Sequence, residues 1–286
     1  MTLLAIVSAL ILLYFCGFGP TLLLINPKES PYRVVVMPAL GLCCHIVFSI
    51  FLAQFSLNGS TISAIVLPFF ACLAVMGWRR SGLSRQEWRR AAPALLLGLF
   101  AAALVGWPLV RNGVGNYWGL ANPDQAFLTP VLEWIQGHPL GIPPEYRDKF
   151  HYLGGFRDIP QNTLLAIFYF TSTVSLITAV PIGLLFNVTG LCMVYLTPCS
   201  VYVLCDELGL PRGTCISATG AVACSALAAY TFYLDSLAAM TLIAVLPLCV
   251  ALALRLLKKP GYLTASPLVI AYESCRWIWF SRSHCV

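Results

Sequence analysis

The sequence predicts an all-α polytopic membrane protein, with about seven transmembrane helices and one long external loop that contains a surface helix. Three observations carry this. Only 10% of the 286 residues are charged and 59% are hydrophobic, whereas a soluble domain carries about 25% charged residues. Charge-free apolar runs recur along the whole chain, each near the ~20 residues that a helix needs to cross a bilayer. The alternating ten-residue segments of a membrane β-barrel are absent. A helix is then the element that satisfies every backbone N–H and C=O within its own segment.

The runs place spans at 2–25, 33–55, 61–77, 92–110, 181–205, 213–232 and 236–256. The first has neither a basic leading region nor an A-x-A cleavage site, so it reads as a retained helix rather than a signal peptide. A further apolar stretch, LLAIFYFTSTVSLITAV at 164–180, holds Thr171, Ser172, Thr173 and Ser175 and is followed by Pro181. It fits either an interfacial helix leading into the fifth span or a span of its own. The expected organisation is four N-terminal transmembrane helices over 1–110 and an external loop with an amphipathic helix over 111–162. A juxtamembrane helix and three transmembrane helices follow over 163–260, then an atypical C-terminal tail over 261–286. The tail ends in ESCRWIWFSRSHCV, which reads as neither a span nor a soluble domain. The expectation is a truncated or frame-shifted product of a longer parent.

Lysine and arginine set the orientation. The stretch WRRSGLSRQEWRR in loop 78–91 holds Arg79, Arg80, Arg85, Arg89 and Arg90, which assigns it to the cytoplasm. With seven spans the same side also collects Lys28, Arg33, Arg212, Arg255, Lys258 and Lys259, against Arg111, Arg147, Lys149 and Arg157 on the other. Making 164–180 a full span would move Arg255, Lys258 and Lys259 outside. Seven spans with an external N-terminus are therefore expected. The basic loop reads first as a topology anchor at a negatively charged leaflet, with a phosphorylated lipid or a cytosolic partner as the lesser reading. Inside the spans, apart from Arg33 and Arg255 at their edges, His45 is the one ionisable side chain of the His, Lys, Arg, Asp and Glu types. That weighs against an ion-coupled transporter, which keeps charges at mid-membrane.

None of the 12 cysteines falls in 111–162 and no CxxC pair occurs, so they read as small buried hydrophobes rather than disulfides or zinc ligands. The sequons at Asn58 and Asn187 are three-residue matches, the second inside an apolar run.

Residues 111–162 form the one long hydrophilic loop, and loops of this length are functional or disordered. Tyr117, Trp118, Phe127, Trp134, Tyr146, Phe150, Tyr152 and Phe156 make it too aromatic for a solvated tail. Asn122 is a good helix N-cap, Pro123 fits the first helical position, Asp124 falls in the first turn and Gln125 takes the capping-box place. Phe127, Val131, Leu132 and Ile135 make one apolar stripe. Pro130 should kink or divide this helix, and Gly137 is a C-terminal stop. A short amphipathic helix over 123–136 is expected on the membrane surface, with Trp118 and Trp134 at the headgroup layer. By itself Asp124 needs no role beyond its favourable place at the positive end of the helix dipole. The following GIPPEYRDKFHYLGGFRDIP clusters Glu145, Arg147, Asp148, Lys149, His151, Arg157 and Asp158. A solvated, mutually paired charge cluster is the plain reading of it. Asp235 stands at a span edge, where an acid is tolerated as a cap.

The pattern Asn122-Pro123-Asp124-Gln125-Ala126-Phe127, followed by Trp134 through Pro139, resembles the external loop of the C-type membrane glycosyltransferases, which use polyprenyl-phosphate sugars. The span ending VYVLCDELGLPRG at 201–213 is a second point of similarity. The resemblance covers roughly 95–260. Three further spans precede the loop here, and Gln125 stands where the family has a second acid. The resemblance implies a transferase at the external face of a bacterial cytoplasmic (inner) membrane, taking a sugar from a polyprenyl-phosphate donor among membrane lipids, with no nucleic acid involved. It makes Asp124 the general base that deprotonates the attacking hydroxyl. Arg147, Lys149, Arg157 and His151, with Arg111, would bind the departing phosphate. Glu145, Asp148 and His151 carry the ligand types of a divalent cation, without a two-His or DxD signature. The competing classes are a polytopic transporter or flippase and a non-catalytic membrane subunit.

Overall fold

The computed structural model describes residues 2–26, 32–113, 124–139, 166–225, 229–230, 232, 237–258 and 262–279, and no strand occurs among them. Four helices come first: α1 (Thr2–Leu24), α2 (Arg33–Ala53), α3 (Gly59–Arg80) and α4 (Arg85–Asn112). The surface helix α5 (Asp124–Gly137) follows, then α6 (Ala166–Thr178) and a 3₁₀ turn (Ile182–Leu185) running into α7 (Phe186–Glu207). The chain continues through α8 (Arg212–Ala223), α9 (Leu237–Lys258) and α10 (Tyr262–Trp279). Among the described residues six segments are long and apolar enough to cross a membrane: α1, α2, α3, α4, the turn with α7, and α9. The protein is therefore an integral, multi-pass, all-α membrane protein.

Without a hydrophobic drive between helices in lipid, close backbone approach at small residues has to hold the bundle. Glycines supply it on two sides of α1. A Cβ on Gly17 would lie 1.8 Å from the Met37 carbonyl oxygen, and one on Gly41 would lie 2.2 Å from that of Leu13. On the other side, a Cβ on Gly19 would lie 2.4 Å from the Leu73 carbonyl carbon, and Gly77 approaches Gly19 in turn. These contacts run α1 antiparallel to α2 and parallel to α3. Gly98 does the same against Tyr195 between α4 and α7.

One end of the bundle gathers the basic residues. Tyr32 before α2 meets Tyr202 near the end of α7, with ring centroids 5.4 Å apart. The α3–α4 loop sits beside Arg33. Arg255 and Lys258 at the end of α9 bond Glu207 at the end of α7. The opposite end carries α5, held to the start of α3. This arrangement brings together the ends on which the charge count placed Arg33, the loop arginines, Arg255 and Lys258.

Three segments differ in detail from the sequence reading. Within segment 164–180 the described residues form helix α6, Ala166–Thr178. Its residues from Ile167 to Ser175 are all buried. In the expected sixth span, α8 ends at Ala223 after 12 residues, and its C-cap is Cys224. The small and polar residues Thr214, Ser217, Thr219, Gly220 and Ser225 weaken that run; residues 226–228, 231 and 233–236, with Asp235, lie outside the described residues. The tail region 261–286 contains the 18-residue helix α10. It packs along α9 and α2, with Ala271 buried and the Ser274 hydroxyl donating to the Cys43 carbonyl at 3.1 Å.

The glycine crossing yields a direct test. Gly41→Val must displace the Leu13 backbone, and overpacking of this kind costs about 1–3 kcal/mol or more. Thermal unfolding in detergent should show a lowered midpoint and a lower folded yield. Gly213→Ala, where nothing lies within 4 Å of the new carbon, is the control. Equal melting of the two variants would refute the tight α1–α2 crossing.

Candidate functional site at the α5 end of the bundle

The acid-bearing segment forms the expected helix. Helix α5 starts at Asp124, runs unbroken through Pro130 and ends at Gly137, where the His138 N–H bonds the Trp134 carbonyl at 2.9 Å. Of the predicted apolar stripe, Val131, Leu132 and Ile135 are buried against the bundle. The side chains of Asp124 and Phe127, and Asn122 and Pro123 altogether, lie outside the described residues. Arg147, Lys149, His151 and Arg157 lie outside them as well, as do Glu145 and Asp148. Arg111 is exposed in the last turn of α4. Among the described residues no group of three His, Cys, Asp or Glu could hold a metal ion.

What the structure describes well is how α5 is seated. The Ser60 hydroxyl donates to the Gln136 carbonyl at 2.8 Å, and Asn58 Nδ2 reaches the Gly137 carbonyl at 3.4 Å. Asn58 also caps α3 by accepting the Thr61 N–H at 2.8 Å. Gln136 Nε2 donates to the Ser175 hydroxyl on α6 at 3.1 Å, and that hydroxyl donates to the Val180 carbonyl at 2.7 Å. Two glycines make room. A Cβ on Gly183 would lie 2.6 Å from Thr129 Cγ2, and one on Gly59 would lie 3.0 Å from the Ile135 carbonyl oxygen. On the outer side Trp134 stacks on His138 with centroids 3.8 Å apart. The other sequon, Asn187, is buried in α7.

Below α5 lies a buried polar cluster centred on His45. Its Nε2 is 3.0 Å from the Thr173 hydroxyl and its Nδ1 is 3.3 Å from that of Ser49. Thr173 reaches the Ser63 hydroxyl at 3.0 Å, and Ser63 donates to the Gly59 carbonyl at 2.7 Å. Phe70 and Phe170 flank the imidazole. No carboxylate joins the cluster among the described residues. Proton relays through membranes use chains of Asp, Glu and His, whereas hydroxyl–imidazole bonds across helices hold helices together. The cluster ties α2, α3 and α6 beneath α5.

The second polar centre stands at the basic end. Arg33, counted in the sequence among the basic residues of the cytoplasmic side, is 1% exposed. Its Nε donates to Glu87 Oε1 at 2.6 Å and its Nη2 to Glu87 Oε2 at 3.1 Å. Nη1 donates to the Ser81 hydroxyl and Nη2 to the Gly82 carbonyl, both at 2.9 Å. Ser81 in turn donates to the Leu22 carbonyl of α1 at 3.2 Å. Glu87 also completes a capping box with Ser84 at the start of α4. Burial alone would raise the Glu87 carboxyl, but the Arg33 guanidinium and the Ser84 N–H and hydroxyl outweigh it and hold the group below the ordinary carboxylate range. The readable signal was Ser84-x-x-Glu87 before an apolar run, the capping-box signature.

Comparison with known proteins returned no significant match to a family model, to a curated protein or to a solved structure.

Removing one partner of a buried pair leaves an uncompensated charge and costs about 3–5 kcal/mol. Arg33→Met and Glu87→Leu should each sharply lower the unfolding midpoint, and the double variant should be little worse than either single. Additive losses would show that the two residues act independently. Because the folded carboxyl sits below its unfolded value of about 4.3, the pair's contribution should be full above that pH. It should be lost as pH falls through the lowered folded value.

Proposed function

We propose that this chain is a membrane-embedded glycosyl transferase that acts on a lipid-linked phosphate sugar at the α5 end of the bundle. The observation that carries the reading is the seating of α5. An amphipathic helix, described from Asp124 to Gly137, rests on α3, α6 and the 3₁₀ turn, at the end opposite the basic loop. A carboxylate at that boundary can take the proton of an acceptor hydroxyl while the lipid part of a donor stays in the bilayer. In this reading Asp124 is the general base. Arg147, Lys149, Arg157 and His151 stabilise the departing phosphate, the donor is a polyprenyl-phosphate sugar, and the membrane is the bacterial cytoplasmic one with α5 outside.

Two measurements test it. A cysteine introduced at Gly141 should react with an impermeant thiol reagent added outside intact cells; labelling only after lysis reverses the sidedness and removes the external site. Asp124→Asn should leave the unfolding midpoint within the ~1 kcal/mol that a first-turn charge contributes. It should reduce transfer from a polyprenyl-phosphate sugar by about 10²–10⁴-fold. Unchanged turnover with a slightly lowered midpoint would reduce Asp124 to a helix-start residue and sink the transferase reading.

A further inference from the structure

We propose that the cleft between α3 and α4 binds one anionic glycerophospholipid drawn from the leaflet at the basic end. The proposal is independent of the transferase reading, because the cleft opens at the other end of the bundle. Beyond loop 81–84, α3 packs on α1 and α6 while α4 packs on α7 and α8. The two helices therefore diverge and leave the flank of α1 uncovered between them. The resulting groove measures about 580 Å³ and is walled by residues such as Ile11, Phe18, Trp88, Leu95 and Leu99. At its floor the Tyr14 and Tyr195 hydroxyls bond each other at 2.5 Å, so the lining offers a ligand almost only apolar surface.

Length and charge choose the occupant. From Trp88 to Leu99 the wall of α4 rises ~16 Å at 1.5 Å per residue, about half of a ~30 Å hydrocarbon core. That is the depth of one leaflet. It suits an acyl chain, whereas a partner's transmembrane helix would need a groove through both leaflets. At the mouth Trp78 stacks on Phe18 with centroids 6.1 Å apart, in the headgroup position that tryptophan favours. Arg85 lies one turn before Trp88 on the same stripe of α4, and Arg79 and Arg80 follow Trp78. All three arginines are exposed. The ion pairs among the described residues are Arg33–Glu87 and Arg255–Glu207, so none of the described carboxylates pairs with these three. An apolar slot one leaflet deep below an uncompensated basic rim is complementary to a phosphate headgroup with its acyl chain beneath.

The test uses the whole chain in nanodiscs and the quenching of Trp88 by lipids with brominated acyl chains. Trp88 is isolated by subtracting the signal of Trp88→Phe. Brominated phosphatidylglycerol diluted into phosphatidylcholine should quench it at a lower mole fraction than brominated phosphatidylcholine does. Arg85→Gln should weaken that preference about five-fold, the factor corresponding to roughly 1 kcal/mol per basic residue near a charged leaflet. Filling the slot with Leu99→Phe or, separately, Ile11→Phe should reduce quenching by both lipids. Both residues are exposed, so the thermal midpoint should hold, and each variant guards against misfolding of the other. Equal quenching by the two lipids would mean ordinary bilayer solvation and would overturn the proposal. So would absent quenching with a dimer in nanodiscs that the slot-filling variants dissolve, because a second copy would then cover the face.

Discussion

The geometry of this bundle depends on a buried charge that has to be satisfied. Arg33 enters the protein at the first turn of α2 with almost no exposure, and a guanidinium in that setting is tolerable only with its N–H groups paired. Every partner comes from the same short piece of chain: Ser81, Gly82 and Glu87. The four-residue loop 81–84 must therefore fold back over the start of α2, and Ser81 carries the constraint on to the last turn of α1. One side chain thus fixes where α1, α2, α3 and α4 meet. The glycine crossings fix how α2 and α3 then climb along α1. Helix α4, bound at its foot by Glu87, is drawn toward α7 at Gly98 and Gly106. The divergence of α3 from α4 follows from those two attachments.

At the other end the organising problem is a helix rich in hydroxyl groups. Helix α6 brings five serine and threonine residues into the bundle, and four of them are buried. Thr171, Thr173 and Thr178 spend part of their bonding capacity on carbonyls four residues earlier in their own helix. Thr171 also pairs with Thr189 across the turn into α7, at 2.9 Å. Thr173 joins His45, and Ser175 closes onto the Val180 carbonyl that ends the helix. In this way the polar load of α6 becomes its attachment, and α5 lies over its C-terminal end.

Much of this was legible in the sequence, and the misses have physical causes. Composition and run length fixed the class, because lipid leaves the backbone no other choice than self-satisfied helices. The stripe of α5 was readable from Val131, Leu132 and Ile135 because a 3.6-residue period survives a proline near a helix start. Proline at position 130 stands in the seventh residue of α5, yet it did not divide the helix: a missing N–H costs one bond, and burial of the stripe outweighs it. The enclosure of α6 was not legible at 164–180, because hydropathy reports how apolar a stretch is and not whether neighbours enclose it. The burial of Arg33 was hidden for a related reason. A charge at a span edge has the same sequence appearance whether it is solvated or paired with an acid 54 residues away. Helix α10 was hidden by Glu273, Arg276 and Ser274, which break the apolar run although Ser274 points into the bundle and bonds α2.

The distribution of carboxylates adds the last step. At the basic end Glu87 and Glu207 are held in ion pairs. A proton-transfer role there would require breaking contacts that the fold uses. Five of the other acids, Asp124, Glu133, Glu145, Asp148 and Asp158, follow one another in sequence between 124 and 158. Chemistry that needs a carboxylate to gain and lose a proton in each turnover is costly at the two paired carboxylates of the basic end. The same pairing leaves the exposed Arg79, Arg80 and Arg85 outside the ion pairs of the described residues, and an anion is their complement.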